Sequence, residues 1–179
     1  MNRLDKLYHY TSRENWDKIL ETRMLLPMSN PYSDDYFAAR TAERIVPLNI
    51  KNIICCEKYI CGMPEPKPNG WVEYGLMKKL IKWTTKEVLL EIPIIFQEGV
   101  FLRELKWISP KYLRSVDEKL LEDNEHHRIM PSQFVNRKYH RWYINSTMPL
   151  KNYENNYEAP EIWLPAEVSL DLIKIVEIN

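Results

Sequence analysis

The chain has 179 residues, 45% of them hydrophobic, which suits one ordinary globular domain over 1–179 with a sizeable core. Lysine plus arginine and aspartate plus glutamate balance at 25 each, so no global field draws it to nucleic acid or anionic lipid, and such a partner would need a local patch. The opening MNRLDKLYHY lacks the apolar core of a signal peptide and no run of about 18 apolar residues occurs, so the sequence reads as soluble and cytoplasmic, with no membrane partner.

In chain order, Leu4 to Tyr10 predicts a strand whose alternation puts Leu7 and His9 on one face and Tyr8 and Tyr10 on the other. Thr11 followed by Glu14 predicts a capping box, and a helix from Ser12 to Thr22 with Trp16, Ile19 and Leu20 as its buried stripe. Pro27 ends that stretch. Asn30-Pro31 and Ser33-Asp34-Asp35 predict a loop, with a short helix from Asp35. NIICCE (52–57) reads as a strand, and CGMPEPKPNG (61–70) as an exposed, turn-rich loop. GWVEYGLMKKLIKW then predicts a helix with Trp71, Tyr74, Met77, Leu80 and Ile81 on one face.

VLLEIPIIF (88–96) is the clearest strand, although Pro93 inside it predicts an edge or a bulge. Ser109-Pro110 opens a helix that continues through Leu120-Leu121. RKYHRWY (137–143) interleaves basic and aromatic residues, a pattern that suits stacking and pairing with nucleic acid and equally a plain strand or a solvated helix face; the plain reading is preferred. MPLKNYENNYEAP (148–160) predicts a long exposed loop, EIWL a short strand, and PAEVSLDLIKIVEI a turn and a closing strand.

The three cysteines, Cys55, Cys56 and Cys61, form no CxxC pair, and an odd number in a chain read as intracellular argues against a disulfide framework. No metal site is expected. Strands and helices mix without βαβ regularity and without a glycine-rich phosphate turn, since the chain has only 4 glycines. The fold class read from the residues is therefore α+β with antiparallel strands.

LYHYTSRENWDKILETRMLLP resembles the opening of the ADP-ribosyltransferase superfamily: a strand ending in a His-aromatic-Thr/Ser step, a helix of the form xNxxxIL, and a Leu-Leu-Pro exit. EIWLPAEVSLDLIKIVEI is similar to that family's last motif, a glutamate at the start of a strand followed by the Ile-x-x-Ile/Val of the closing strand. The resemblance implies a split antiparallel β-sandwich with flanking helices, and an enzyme that transfers ADP-ribose from NAD, its co-substrate, to a macromolecular acceptor, of toxin, effector or phage-conflict type. A neutralising partner protein fits the same reading. Breaking the nicotinamide glycosidic bond passes through an oxocarbenium-like ribose that a carboxylate steadies.

By the resemblance Glu161 is the catalytic glutamate, with Glu158 its rival. His9 would hydrogen-bond a ribose hydroxyl, with Tyr10 and Thr11 at the adjoining edge of the NAD pocket. Tyr153 and Tyr157, in the loop before Glu161, are candidates for contact with the acceptor. The family's middle motif has no clear counterpart; Trp71 and Tyr74 are the candidates to pack against nicotinamide, with Tyr59 the alternative. DYFAAR (35–40) is similar to a segment of toxins that ADP-ribosylate DNA, and that likeness makes Arg40 a candidate for the NAD phosphates or the catalytic centre. Two alternatives stand beside the transferase: a non-catalytic binding module on the same fold, and an RNA 2′-phosphotransferase, whose additional His and Arg motifs are not evident.

Overall fold

The computed structural model describes residues 4–27, 59–78, 87–96, 98–109, 111–112, 142–143, 145–165 and 167–178. Arg40, Cys55, Cys56, the strand expected over 52–57, the helix expected from Asp35 and most of RKYHRWY lie outside the described residues.

The described elements are mixed α+β with antiparallel pairing. Strand β1 (Lys6–Thr11) pairs with β4 (Val88–Pro93), and β4 with β9 (Lys174–Ile178), giving a three-stranded sheet in the order β1-β4-β9. A four-stranded sheet runs β3 (Ile60–Gly62), β7 (Pro160–Leu164), β5 (Phe101–Glu104), β6 (Met148–Pro149). A small ribbon pairs β2 (Met24–Leu25) with β8 (Val168–Ser169). Among the described residues the two larger sheets are stitched at one bridge, where Tyr8 and Met63 exchange N–H···O bonds of 2.8 Å in both directions.

Strand alternation explains where the cores form. Leu7 opposes Ile92, His9 opposes Leu90 and Thr11 opposes Val88, so these residues share one face. Leu7, Val88, Leu90 and Ile92 are fully buried there, in a cluster with Ile60, Leu102, Ile162 and Leu164. Each such side chain contributes about 1.5–3 kcal/mol of burial. Tyr10 and Leu89 turn the other way, into a second, aromatic cluster with Tyr59, Met63, Trp71, Tyr143 and Trp163.

Helix α1 (Arg13–Thr22) follows β1 directly, but its cap lies one residue later than the capping box implies. Ser12 Oγ accepts from the Asn15 N–H at 3.2 Å, because Thr11 is still the last residue of β1, buried opposite Val88. Glu14 consequently pairs forward with Lys18, Nζ to Oε1 2.6 Å. Trp16 and Ile19 are buried as the periodicity predicts, whereas Leu20 is exposed. The helix ends on Arg23 in the left-handed region, φ 61°.

The helix expected from Gly70 onward is broken. Helix α2 (Asn69–Glu73) stops at Tyr74 and Gly75, whose φ of +72° leaves the helical region before helical backbone resumes over 76–78. Part of the loop expected over 61–70 is instead strand β3, and Met63 is buried. Pro93 ends β4 beyond the last residue paired to β9, Glu91, so its missing N–H costs the ladder nothing on that side; a bulge falls at Leu89/Leu90. The segment over 148–160 is exposed only in part. Lys151, Asn152, Glu154, Asn155, Asn156 and Glu158 face solvent, but the segment also holds β6 and a 3-10 turn (Leu150–Asn152), with Leu150 and Tyr153 buried in the cluster of Leu102 and Ile162 and Ala159 in the aromatic cluster. No helix among the described residues is long and apolar enough to cross a membrane.

Candidate functional site

Strand β7 opposes β5 in the register Arg103↔Glu161 and Phe101↔Trp163, so four side chains with distinct chemistry share the aromatic face. Glu161 Oε2 accepts two hydrogen bonds, from the Tyr143 hydroxyl at 2.6 Å and from Trp163 Nε1 at 2.8 Å. Both donors are buried, at 3% and 5% exposure. Burial first, and then the Glu161 charge, push the Tyr143 hydroxyl well above its ordinary range, although Arg103 opposes this; Tyr143 therefore stays protonated and donates.

Arg103 lies behind the same rings. Its guanidinium carbon is 4.2 Å from the centre of the Trp163 ring and 5.2 Å from that of Tyr143, and Nε donates to Thr147 Oγ1 at 3.1 Å. A narrow cleft is lined by Tyr59, Phe101, Arg103, Thr147 and Trp163. Its walls meet closely enough that no water-sized sphere fits between them. Tyr59 meets Phe101 and Trp163 edge-on, with centroids 6.2 and 6.0 Å apart.

The residues just before Glu161 are bound from several sides. Glu104, 3% exposed, accepts the N–H groups of Glu158 at 2.7 Å and Ala159 at 2.9 Å, and the Leu105 N–H donates to the Ala159 carbonyl at 3.0 Å. Trp71 Nε1 donates to the Pro160 carbonyl at 2.9 Å. Gly70 lies so close that an added Cβ would sit 1.6 Å from the Glu158 carbonyl oxygen, a contact only glycine permits. The Glu158 side chain pairs with Lys106 and with the Tyr74 hydroxyl. Those two partners, Lys106 foremost, hold its carboxyl below the usual range, while the bond to Glu158 raises the Tyr74 hydroxyl.

The candidates read from the sequence separate into groups. Glu161, Trp71, Tyr74 and Tyr10 contact or belong to the aromatic side. His9 sits on the opposite face with Leu7 and Leu90, where its Nδ1–H donates to the Cys61 carbonyl at 2.8 Å; Thr11 shares that face. Burial lowers the His9 pKa, partly countered by that bond. Alternation therefore points His9 and Glu161 to opposite faces of bridged strands. Tyr153 and Tyr157 turn inward as a ring pair 5.4 Å apart, and the Tyr157 hydroxyl donates to the Ser146 carbonyl. Arg40 lies outside the described residues.

Sequence reading did not single out Arg103, Glu104, Tyr143 or Trp163. The signal for the first pair is FLREL itself, where ionisable residues stand between strand positions whose neighbours are apolar. Tyr143 closes RKYHRWY, a segment noted for nucleic-acid stacking, whereas its hydroxyl serves Glu161.

Chemically, the arrangement holds an anionic carboxylate in one orientation through two fixed donors, beside aromatic walls and a buried cation. Such a group can steady developing positive charge or accept a proton. Among the described residues no cluster of three or more His, Cys, Asp or Glu could hold a metal ion. No protein-family model, no curated protein and no solved structure matches the chain.

Proposed function

We propose that the chain is an NAD-dependent ADP-ribosyltransferase with Glu161 as its catalytic carboxylate. The observation that carries this reading is the clamping of Glu161 Oε2 by Tyr143 and Trp163 at the start of β7, where the motif resemblance puts the catalytic glutamate. In the reaction the C–N glycosidic bond of NAD breaks and nicotinamide leaves with the bonding electron pair. The Glu161 charge steadies the oxocarbenium-like ribose, and an acceptor nucleophile closes on it and loses its proton. A carboxylate already oriented by two donors needs little reorganisation as that charge develops. The acceptor is a macromolecule, protein or nucleic acid.

The test is release of nicotinamide from NAD, followed by chromatography, with and without cell extract as the source of acceptor. Glu161→Gln is expected to lose at least about a hundredfold in rate while retaining its fold, the scale of removing one preorganised electrostatic group. Undiminished release by that variant would refute the assignment. A second reading, a non-catalytic binding module, is favoured by the closed cleft and by His9 facing away from Glu161. A folded wild-type protein that shows no heat of binding with NAD would select it.

A further inference from the structure

Arg103 is 2% exposed, yet its Nη1 has no hydrogen-bond partner among the described residues. Its other contacts are specific: Nε is spent on Thr147, the guanidinium lies over the Trp163 ring, and it also acts on Tyr143. Burying a guanidinium N–H without an acceptor is costly. A rigid fork with an unmet donor, lining an aromatic-walled cleft, is the arrangement in which arginine recognises planar or tetrahedral oxyanions.

We propose that the cleft lined by Tyr59, Phe101, Arg103, Thr147 and Trp163 is a binding site for an anionic oxygen group, a carboxylate or a phosphate monoester, bound through Arg103 Nη1. Glu161 stands opposite Arg103 in the strand register, and its Oε2 is taken by Tyr143 and Trp163. Phe101 is half-buried, and under this proposal its ring is the wall that swings aside for an anion to enter. The site stands on Arg103 and the cleft, and holds whether or not the chain consumes NAD.

The test is titration of the ¹⁵N-labelled protein with methyl phosphate, with acetate and with chloride at constant ionic strength, following the Arg103 Nε–H and Trp163 indole signals. The expected result is saturable shifts with methyl phosphate or acetate in the millimolar range and none with chloride. Saturation by methyl phosphate alone assigns the phosphate, and by acetate alone the carboxylate. Arg103→Met is expected to weaken binding by about tenfold or more, and Phe101→Ala, which removes the obstructing ring, to tighten it by about tenfold. Equal shifts with chloride, no saturation by either anion up to about 100 mM in wild type and Phe101→Ala, or binding retained in a folded Arg103→Met would each overturn the proposal. Should Arg103→Met fail to fold, Phe101→Ala decides: affinity unchanged or weakened in that variant overturns it.

Discussion

Glu104→Gln isolates the bond set that delivers Glu161 to its place. The Glu104 carboxylate offers one oxygen to the Glu158 N–H at 2.7 Å and the other to the Ala159 N–H at 2.9 Å, with a weaker third contact from the Lys106 N–H at 3.4 Å. Glutamine keeps the shape and one acceptor, but turns an NH₂ toward a backbone N–H. One charge-assisted bond worth about 1.5–3 kcal/mol is lost and a buried donor is left unsatisfied, for a total near 2–4 kcal/mol. For a chain of this length about 2–4 °C of Tm accompanies each kcal/mol, so the melting temperature should fall by about 5–15 °C. Circular dichroism during heating and a urea titration check this, and the urea slope should stay unchanged, since the same surface is exposed on unfolding. A fall of less than about 2 °C with that slope intact would refute the reasoning, because it would mean the two N–H groups find equivalent partners without the carboxylate.

Two further outcomes follow from the same geometry. At Gly62 an added Cβ would lie 2.5 Å from the Tyr8 carbonyl oxygen and 2.8 Å from Leu7 Cγ, so Gly62→Ala should cost about 2 kcal/mol or more by forcing the bridge between the sheets apart; an unchanged urea midpoint would contradict it. Gly75→Ala meets nothing within 4 Å and should lose only the strain of a positive φ, about 1–2 kcal/mol, which separates crowding from conformation in the same assay. Burial holds the His9 pKa below 6.5, so the folded state resists protonation more than the unfolded chain does. The stability this confers is complete above pH 6.5 and is lost as the pH falls from there toward the folded value. Urea midpoints at pH 7.5 and 5.5 should therefore drop more in wild type than in His9→Gln, and equal drops in both would exclude His9 as the source.

Local pattern was enough wherever one element decides its own fate. The alternation of Leu7, Tyr8, His9 and Tyr10 appears in the structure as written, and EIWL is strand β7. It failed where a partner decides. Thr11 satisfies every local rule for a cap, yet β4 extends to Val88 and claims it for the sheet, which moves the cap to Ser12. The asparagines over 148–160 do face solvent, yet Tyr153 is buried in the core cluster of Leu102 and Ile162 and Tyr157 packs against it, half-buried. Arg103 was half legible: FLREL sets ionisable residues among apolar ones, but only the pairing with β7 brings Trp163 and Glu161 beside it.

The distribution of bonding around β7 bears on why a carboxylate stands there. A strand between two neighbours needs only its ladder, yet residues 158–160 also receive a buried carboxylate, an indole N–H, a glycine pressed onto a carbonyl, and an ion pair shared with a tyrosine. These contacts come from α2 and, some thirty residues later, from the end of β5 and the 3-10 turn (Leu105–Ile108) that follows it. Together they remove the freedom of the backbone immediately ahead of Glu161, while Tyr143 and Trp163 remove that of its side chain. Ordering so many groups around one exposed-type residue carries an entropic cost that a surface glutamate does not require. Fixing a charge against the arrival of an opposite one does require it, since the stabilisation is gained only if the dipoles and the carboxylate need not reorganise when that charge develops.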